Sequence, residues 1–424
     1  MIDYKIQPKI IEAAKPEIIL PEAIQLDNGL PVHILKAGAQ EVTKLDFIFD
    51  AGLWHESKPL QSALANAMLQ EGSQDYSGAQ IAEIMDFRGA YIQFSVDHHF
   101  GTISLICLNK HLPHLLPVIE NLIKHSLFEE HEFETLTNRR KQRFLLENKK
   151  VKVLCQKKFS EVLFGNQHPY SQKVKKENFQ TIGRDDLHDF YNSFYQSGNC
   201  RIVAAGNTDP KLGELLNHHF GGNDWQGEKM MVPEFKIQSS KERLHQVKKN
   251  DAIQSAIRIG RLLVKKDHPD FHGLQVLNTI LGGYFSSRLM ANIREEKGYT
   301  YGIGSSIMSL NEAGYLVIAT ETDKAYVKNT IDEVFNEMRR LREELVSEKE
   351  LKRVRQYLLG EFIRDFDGPF AQAQSFRSVA DFGLDHHFHE QYYQTLISIT
   401  LERLQALASQ YFIESEFYTV IAGA

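Results

Sequence analysis

Two spacings of apolar residues take turns along the chain. Residues 45–54, LDFIFDAGLW, and 92–107, IQFSVDHHFGTISLIC, carry the dense or alternating apolar pattern of strands. Residues 255–264, SAIRIGRLLV, and 301–321, YGIGSSIMSLNEAGYLVIATE, do the same later on. Between and after them the apolar period lengthens to that of an amphipathic helix. The clearest cases are KHLPHLLPVIENLIKHSL at 110–127 and KAYVKNTIDEVFNEMRRLREEL at 324–345. Longer helices are predicted through RRKQRFLLENKK at 139–150 and KELKRVRQYLLGEFIRDF at 349–366.

This order occurs twice. GRDDLHDFYNSFYQSGNCRIVAAGN, 183–207, aligns without a gap on the terminal LERLQALASQYFIESEFYTVIAGA, 401–424. Leu187 pairs with Leu404, Phe194 with Tyr411 and Gly206 with Gly423. Each copy reads as a short amphipathic helix, a turn and a strand ending in Ala-Gly. Upstream, each half runs strand, helix (ending MLQEG or TILGG), strands, then several helices. Strand and helix runs without strict βαβ alternation indicate an α+β fold of two homologous sandwich domains related by duplication. The polar stretch 221–246 separates them, giving expected domains at 1–225 and 226–424.

Composition narrows the classes. Of 424 residues, 42% are hydrophobic and 25% charged, with net charge −6, which gives no electrostatic reason to bind nucleic acid or an anionic membrane. No apolar run is long enough to span a bilayer. The opening residues lack the apolar core of a signal peptide, so a cytoplasmic protein is expected, periplasmic only if a leader has been removed. Cys107, Cys155 and Cys200 are too few and too far apart for a disulfide framework or a cysteine metal site and read as buried small hydrophobes. Adjacent His98 and His99 would point to opposite faces of a strand. His386 and His389 could share a helical face with Glu390. Surface polar residues at element ends is the preferred reading of all these histidines.

Several segments in this order resemble the M16 (pitrilysin- and insulinase-type) metallopeptidases over nearly the whole chain. They are the Asn28-Gly29 turn in LDNGLPVHIL, AGLWHE at 51–56, FGNQHPY at 164–170, and above all LGGYFSSRLMANIREEKGYTYG at 281–302. The resemblance implies a first helix with His-x-x-Glu-His, whose histidines bind zinc and whose glutamate is the general base. Here that helix is LQSALANAMLQEGS, and the motif positions become Ala63, Asn66 and Ala67. Methyl groups cannot ligate a metal, and an amide takes no proton at neutral pH. Glu147 stands near the position of the third ligand, with Arg143 close by, and reads as an ordinary solvated helix residue. No catalytic or metal residue is therefore expected in this chain.

The resemblance also implies an arginine and a tyrosine, seven residues apart, that contact the substrate backbone. The matching residues are Arg294 and Tyr301, with Tyr299 a weaker candidate; a helix should end near Lys297-Gly298 and a strand begin at 299–301. Loss of the zinc motif with retention of the pair implies the non-catalytic subunit of a heterodimeric M16 peptidase. That subunit would bind and position a peptide for a zinc-bearing partner subunit. A homodimer when alone is compatible with the sequence. The alternative is a structural or peptide-binding scaffold with no part in proteolysis. Only Gly282-Gly283-Tyr284 opens the block, which argues against a mitochondrial processing-type α-subunit with its long glycine-rich loop.

Overall fold

The computed structural model describes residues 14–171, 174–231 and 233–423. The strands are β1 (Glu22–Gln25), β2 (Pro31–Lys36), β3 (Val42–Phe49), β4 (Tyr91–Val96), β5 (Gly101–Leu108) and β6 (Cys200–Gly206). After the link come β7 (Leu244–Lys248), β8 (Gln254–Leu263), β9 (Thr300–Ser309), β10 (Gly314–Asp323) and β11 (Tyr418–Gly423). The first sheet has the order β1-β2-β6-β3-β5-β4 and the second β7-β11-β8-β10-β9. Apart from β1 the two are the same sheet built twice. β2 and β6 are parallel, as are β7 and β11, and every other pair is antiparallel.

The aligned glycines carry a shared constraint. Gly206 and Gly423 end equivalent strands at φ +135° and +147°. A Cβ would fall 2.0 Å from the Val42 carbonyl oxygen at Gly206 and 2.5 Å from Ser255 Oγ at Gly423. Both the backbone angle and the closeness of the neighbouring strand favour a residue without a side chain.

Fourteen helices of the described residues surround the sheets. They are α1 (Gln61–Met68), α2 (Gly78–Phe87), α3 (Leu112–Lys124), α4 (Glu130–Glu147), α5 (Val151–Phe164), α6 (Asn178–Thr181), α7 (Arg184–Phe194) and α8 (Leu212–Phe220). The second half has α9 (Phe271–Asn278), α10 (Val327–Glu343), α11 (Glu348–Arg364), α12 (Pro369–Ala380), α13 (His387–Ser398) and α14 (Leu401–Tyr411). Two π-helical turns, Thr279–Gly283 and Met290–Glu296, follow α9. No helix among the described residues is long and apolar enough to cross a membrane.

Strand alternation sorts the apolar residues into separate cores. Leu45, Phe47 and Phe49 of β3 point into the main core of the first half, with α1, α3 and α7. Ile257 and Ile259 of β8 do so in the second half, with α9, α10 and α14. The opposite sheet faces are covered by exchange. Helix α5, from the first half, lies across β8 and β11 of the second sheet, packing Cys155, Phe159 and Val162 against Ala256, Tyr418 and Val420. Helix α12, from the second half, lies on β2 and β6 of the first, packing Ala373 against Leu35, Val203 and Ala205. Gly260 of β8 makes room for this: a Cβ there would stand 2.7 Å from the Phe159 ring and 2.2 Å from the Leu316 carbonyl oxygen.

Charges stitch the same seam. Buried Asp46 on β3 accepts from Arg377 of α12 at 3.2 Å and pairs with Lys44 at 3.0 Å. Arg201 of β6 bridges Asp50 at 3.1 Å and Asp381 at 2.6 Å. The polar link is more than a spacer. Amides of Gln238 and Ser240 donate to the Phe164 and Val162 carbonyls at the end of α5. The stretch expected to run to residue 246 gives way to strand β7 at Leu244.

Candidate functional site

Helix α1 begins at Leu60, held in the left-handed region at φ +85°. Its start is tied by side chains. Gln61 Oε1 accepts from the Ser57 and Lys58 amides at 3.0 and 2.9 Å, and a Glu56 carboxylate oxygen accepts from the Ser62 amide and hydroxyl at 3.0 and 2.6 Å. Ala63 is half-buried and Ala67 buried. Asn66 is 2% exposed, and its Nδ2 donates to Tyr195 Oη at 3.0 Å inside the core. Burial raises the Tyr195 phenol above its ordinary pKa, so Oη stays neutral and available as an acceptor. The position that matches the family's general base is thus a core hydrogen bond. Two methyl groups and an engaged amide do not fit zinc, and no step can be routed through it here.

Beside α1 lies a cavity of about 770 Å³ bounded by α1, α4, α5 and the chain before α6. Leu60, Ala67, Leu136, Phe144 and Phe179 give it apolar walls; Arg139, Arg140, Arg143 and Lys157 add positive charge. Glu147 is also in the wall, half-exposed and paired with Lys150 at 2.7 Å.

Arg294 and Tyr301 come together. The π-helical turn carrying Arg294 ends at Lys297, whose amide donates to the Asn292 carbonyl, and Gly298 turns the chain at φ +67°. β9 then starts at Thr300, opposite a register shift between Thr320 and Thr322 of β10. Thr300 Oγ1 fixes this irregularity by bonding Thr320 Oγ1 at 2.8 Å and the Glu321 carbonyl at 2.7 Å. Such bulges redirect a neighbouring side chain. Tyr301 stands 92% exposed. The Arg294 guanidinium carbon sits 5.7 Å from the centre of its ring and 4.9 Å from that of Phe285, itself 65% exposed. Among the described residues no carboxylate lies within ion-pair distance of Arg294. Two ring faces hold the guanidinium through cation–π attraction and leave its N–H donors for another molecule.

Phe285 was not legible as part of the site, because nothing in its spacing separates it from an ordinary loop aromatic. Tyr299, in contrast, belongs to the core: it stacks on Tyr326 with ring centres 4.8 Å apart and packs against the second-half cluster.

His98, His99 and His389 depart from the expected surface positions. His98 and His99 lie in an aromatic cluster with Trp54, His168 and Tyr170. His99 Nε2 meets Tyr170 Oη at 2.7 Å, and that same oxygen accepts from the Glu312 amide at 3.0 Å, tying the first half to the second. Burial, with His98 and His55 adding to it, pulls His99 down to about 3, and burial lowers His98 as well. His389 is buried and meets the Ser375 carbonyl at 3.1 Å, so it is a core residue and not a surface polar one. Asp385, His386 and His387 bring donor atoms within 4.8 Å of one another at the start of α13, but Asp385 Oδ1 already accepts from the His387 amide at 2.9 Å. The three cysteines are buried and free, as the sequence suggested.

The fold and these positions can be set beside known proteins. The family described as "Peptidase M16 inactive domain" matches residues 181–358. The chain is 22% identical over 384 residues to a Bacillus subtilis (strain 168) protein named "Uncharacterized zinc protease YmxG", covering 88% of this chain and 92% of that one. It is 23% identical over 304 residues to a Helicobacter pylori protein named "Non-peptidase homolog YmxG", covering 69% and 68%. The crystal structure of the peptidase M16 inactive domain from Pseudomonas fluorescens aligns with TM-score 0.85 at 20% identity, covering 95% of this chain and 98% of that one. By fold the chain is built like the peptidase M16 inactive domain, and in sequence residues 181–358 match that family.

Proposed function

We propose that this chain is the non-hydrolytic subunit of an M16-type peptidase, binding and positioning a peptide for a partner subunit that supplies the zinc, its histidine ligands and the general base. The observation that carries this reading is the contrast in one molecule between a motif helix without metal donors and a half-buried Arg294, without an ion-pair partner among the described residues, held between exposed Tyr301 and Phe285. An exposed tyrosine and phenylalanine contribute little to a core. A guanidinium and a phenol beside each other can donate to the carbonyls of an extended peptide and to an oxyanion developing on one.

The test is reconstitution. The chain is mixed with an M16 subunit bearing an intact His-x-x-Glu-His motif, zinc is quantified, and cleavage of a fluorogenic peptide is followed. Activity should appear only in the mixture and fall by roughly 10²-fold with Arg294→Ala, on the scale of losing one donor to a developing charge. A mixture that gains no activity, or an Arg294→Ala mixture as active as the parent, removes this reading. A scaffold without a role in proteolysis would then take its place, in keeping with the name of the Helicobacter pylori relative.

A further inference from the structure

The cavity beside α1 has a charge pattern of its own. Arg143 stands three residues after Arg140 and four after Arg139 on α4, so it neighbours both, and all three line the cavity. Lys157 joins them from α5, its Nζ 4.4 Å from the centre of the Phe144 ring. Arg139 has a loose partner, Glu71 at 3.6 Å. Arg140, Arg143 and Lys157 have no carboxylate within ion-pair distance among the described residues. The two acids in the wall are occupied: Glu147 pairs with Lys150 and Glu56 holds the start of α1. Burial, reinforced by Arg139 and Arg143, lowers Arg140 from its ordinary pKa, and burial lowers Lys157. The first effect records positive charges held close together, and the second the shielding of Lys157 from solvent. His98 adds a buried Nδ1 with no hydrogen-bond partner in the same wall.

We propose that this cavity binds a carboxylate carried on an apolar chain, as presented by the free C-terminus of a hydrophobic peptide. Phe144, Leu136, Leu60 and Phe179 would take the apolar body, and Arg140, Arg143 and Lys157 the carboxylate. The volume, about 770 Å³, lies within the range of sites that enclose small ligands. Arginine suits this role because its planar fork matches a carboxylate with two parallel hydrogen bonds. An apolar wall raises the strength of that pair and excludes ligands with nothing to bury. The site is independent of the proposed partner subunit and of Arg294, and it can be tested on the chain alone.

The test is calorimetric titration of the full chain with a hexapeptide of alanine, leucine and phenylalanine, as the free acid and as the C-terminal amide, and with decanoate. The free acid should bind about 10-fold more tightly than the amide at low salt, and the difference should shrink as salt rises. Arg143→Gln, at an exposed position without an ion-pair partner among the described residues, should reduce the preference, and Arg140→Gln with Arg143→Gln should abolish it. Binding of the peptide acid without decanoate identifies a peptide end as the source of the carboxylate; binding of decanoate without the peptide identifies a free apolar acid; both support the chemistry. Equal affinity for acid and amide, an undiminished preference in the double variant, or no binding of any probe at about 1 mM overturns it.

Discussion

The two halves share one sheet plan and have made opposite use of the place where each presents side chains for chemistry. In the first half the motif helix has turned inward. Asn66 bonds Tyr195 in the core, Ala67 is buried, and the helix earns its position by packing. In the second half Tyr301 and Phe285 stand in solvent with half-buried Arg294 between them. One half absorbs these side chains into packing, while the other leaves two rings in solvent around a guanidinium that makes no ion pair among the described residues.

The strongest attempt to break this contrast is to rebuild the motif with Ala63→His, Asn66→Glu and Ala67→His. If α1 is now core, placing a carboxylate and an imidazole there without partners should cost roughly 3–5 kcal/mol and yield no stoichiometric zinc. Thermal unfolding and metal analysis would decide; a stable variant that binds one zinc ion would show that α1 is still a site. Next is pH. His99 is held neutral with its pKa lowered to about 3, so the unfolded chain binds more protons than the folded one below the ordinary histidine value of about 6.5. Its contribution is therefore fully present above about pH 6.5 and is lost as pH falls toward 3, at up to about 1.4 kcal/mol per pH unit. Denaturant unfolding of His99→Phe against the parent over pH 7 to 4 should show the parent losing stability faster. Asn66→Ala comes third. It leaves the buried Tyr195 hydroxyl without its donor and should cost about 1–3 kcal/mol, seen as a shift in the urea midpoint. Smallest in stability are Arg294→Ala and Tyr301→Ala, expected within about 0.5 kcal/mol of the parent. A larger loss in those last two would mean that the second-half residues are structural after all, and the contrast would fail.

Much of the architecture was readable because the chain repeats itself. The Gly206 and Gly423 alignment led to equivalent strand ends, and the loss of zinc donors was visible in Ala63 and Ala67 without coordinates. Arg294 and Tyr301 were picked out as a pair through the family resemblance; the helix stop and strand start between them, taken alone, mark only an ordinary helix end and strand. His98, His99 and His389 were misjudged because polarity was read as exposure. His99 stacks on Trp54 and His98 meets Tyr170 edge-on, aromatic roles that spacing does not announce. The exchanged helices were hidden for a related reason. Val151–Phe164 interleaves Lys152, Gln156 and Lys157 with its apolar residues, so its pattern does not say which sheet it covers. Only the fold brings Phe159 to Gly260.

That exchange has a consequence for how the chain is made. When β6 leaves the ribosome the first sheet is complete, yet its outer face, with Leu35, Ile48 and Val203, has nothing to cover it. Helix α12 follows roughly 160 residues later, a delay of about 10–30 s at typical synthesis rates of about 5–20 residues per second. Through that interval the nascent chain carries an apolar surface and, at Asp46, a buried-state carboxylate still waiting for Arg377. The first half can collapse but cannot finish alone, and the last contacts to form join its earliest strands to one of its latest helices.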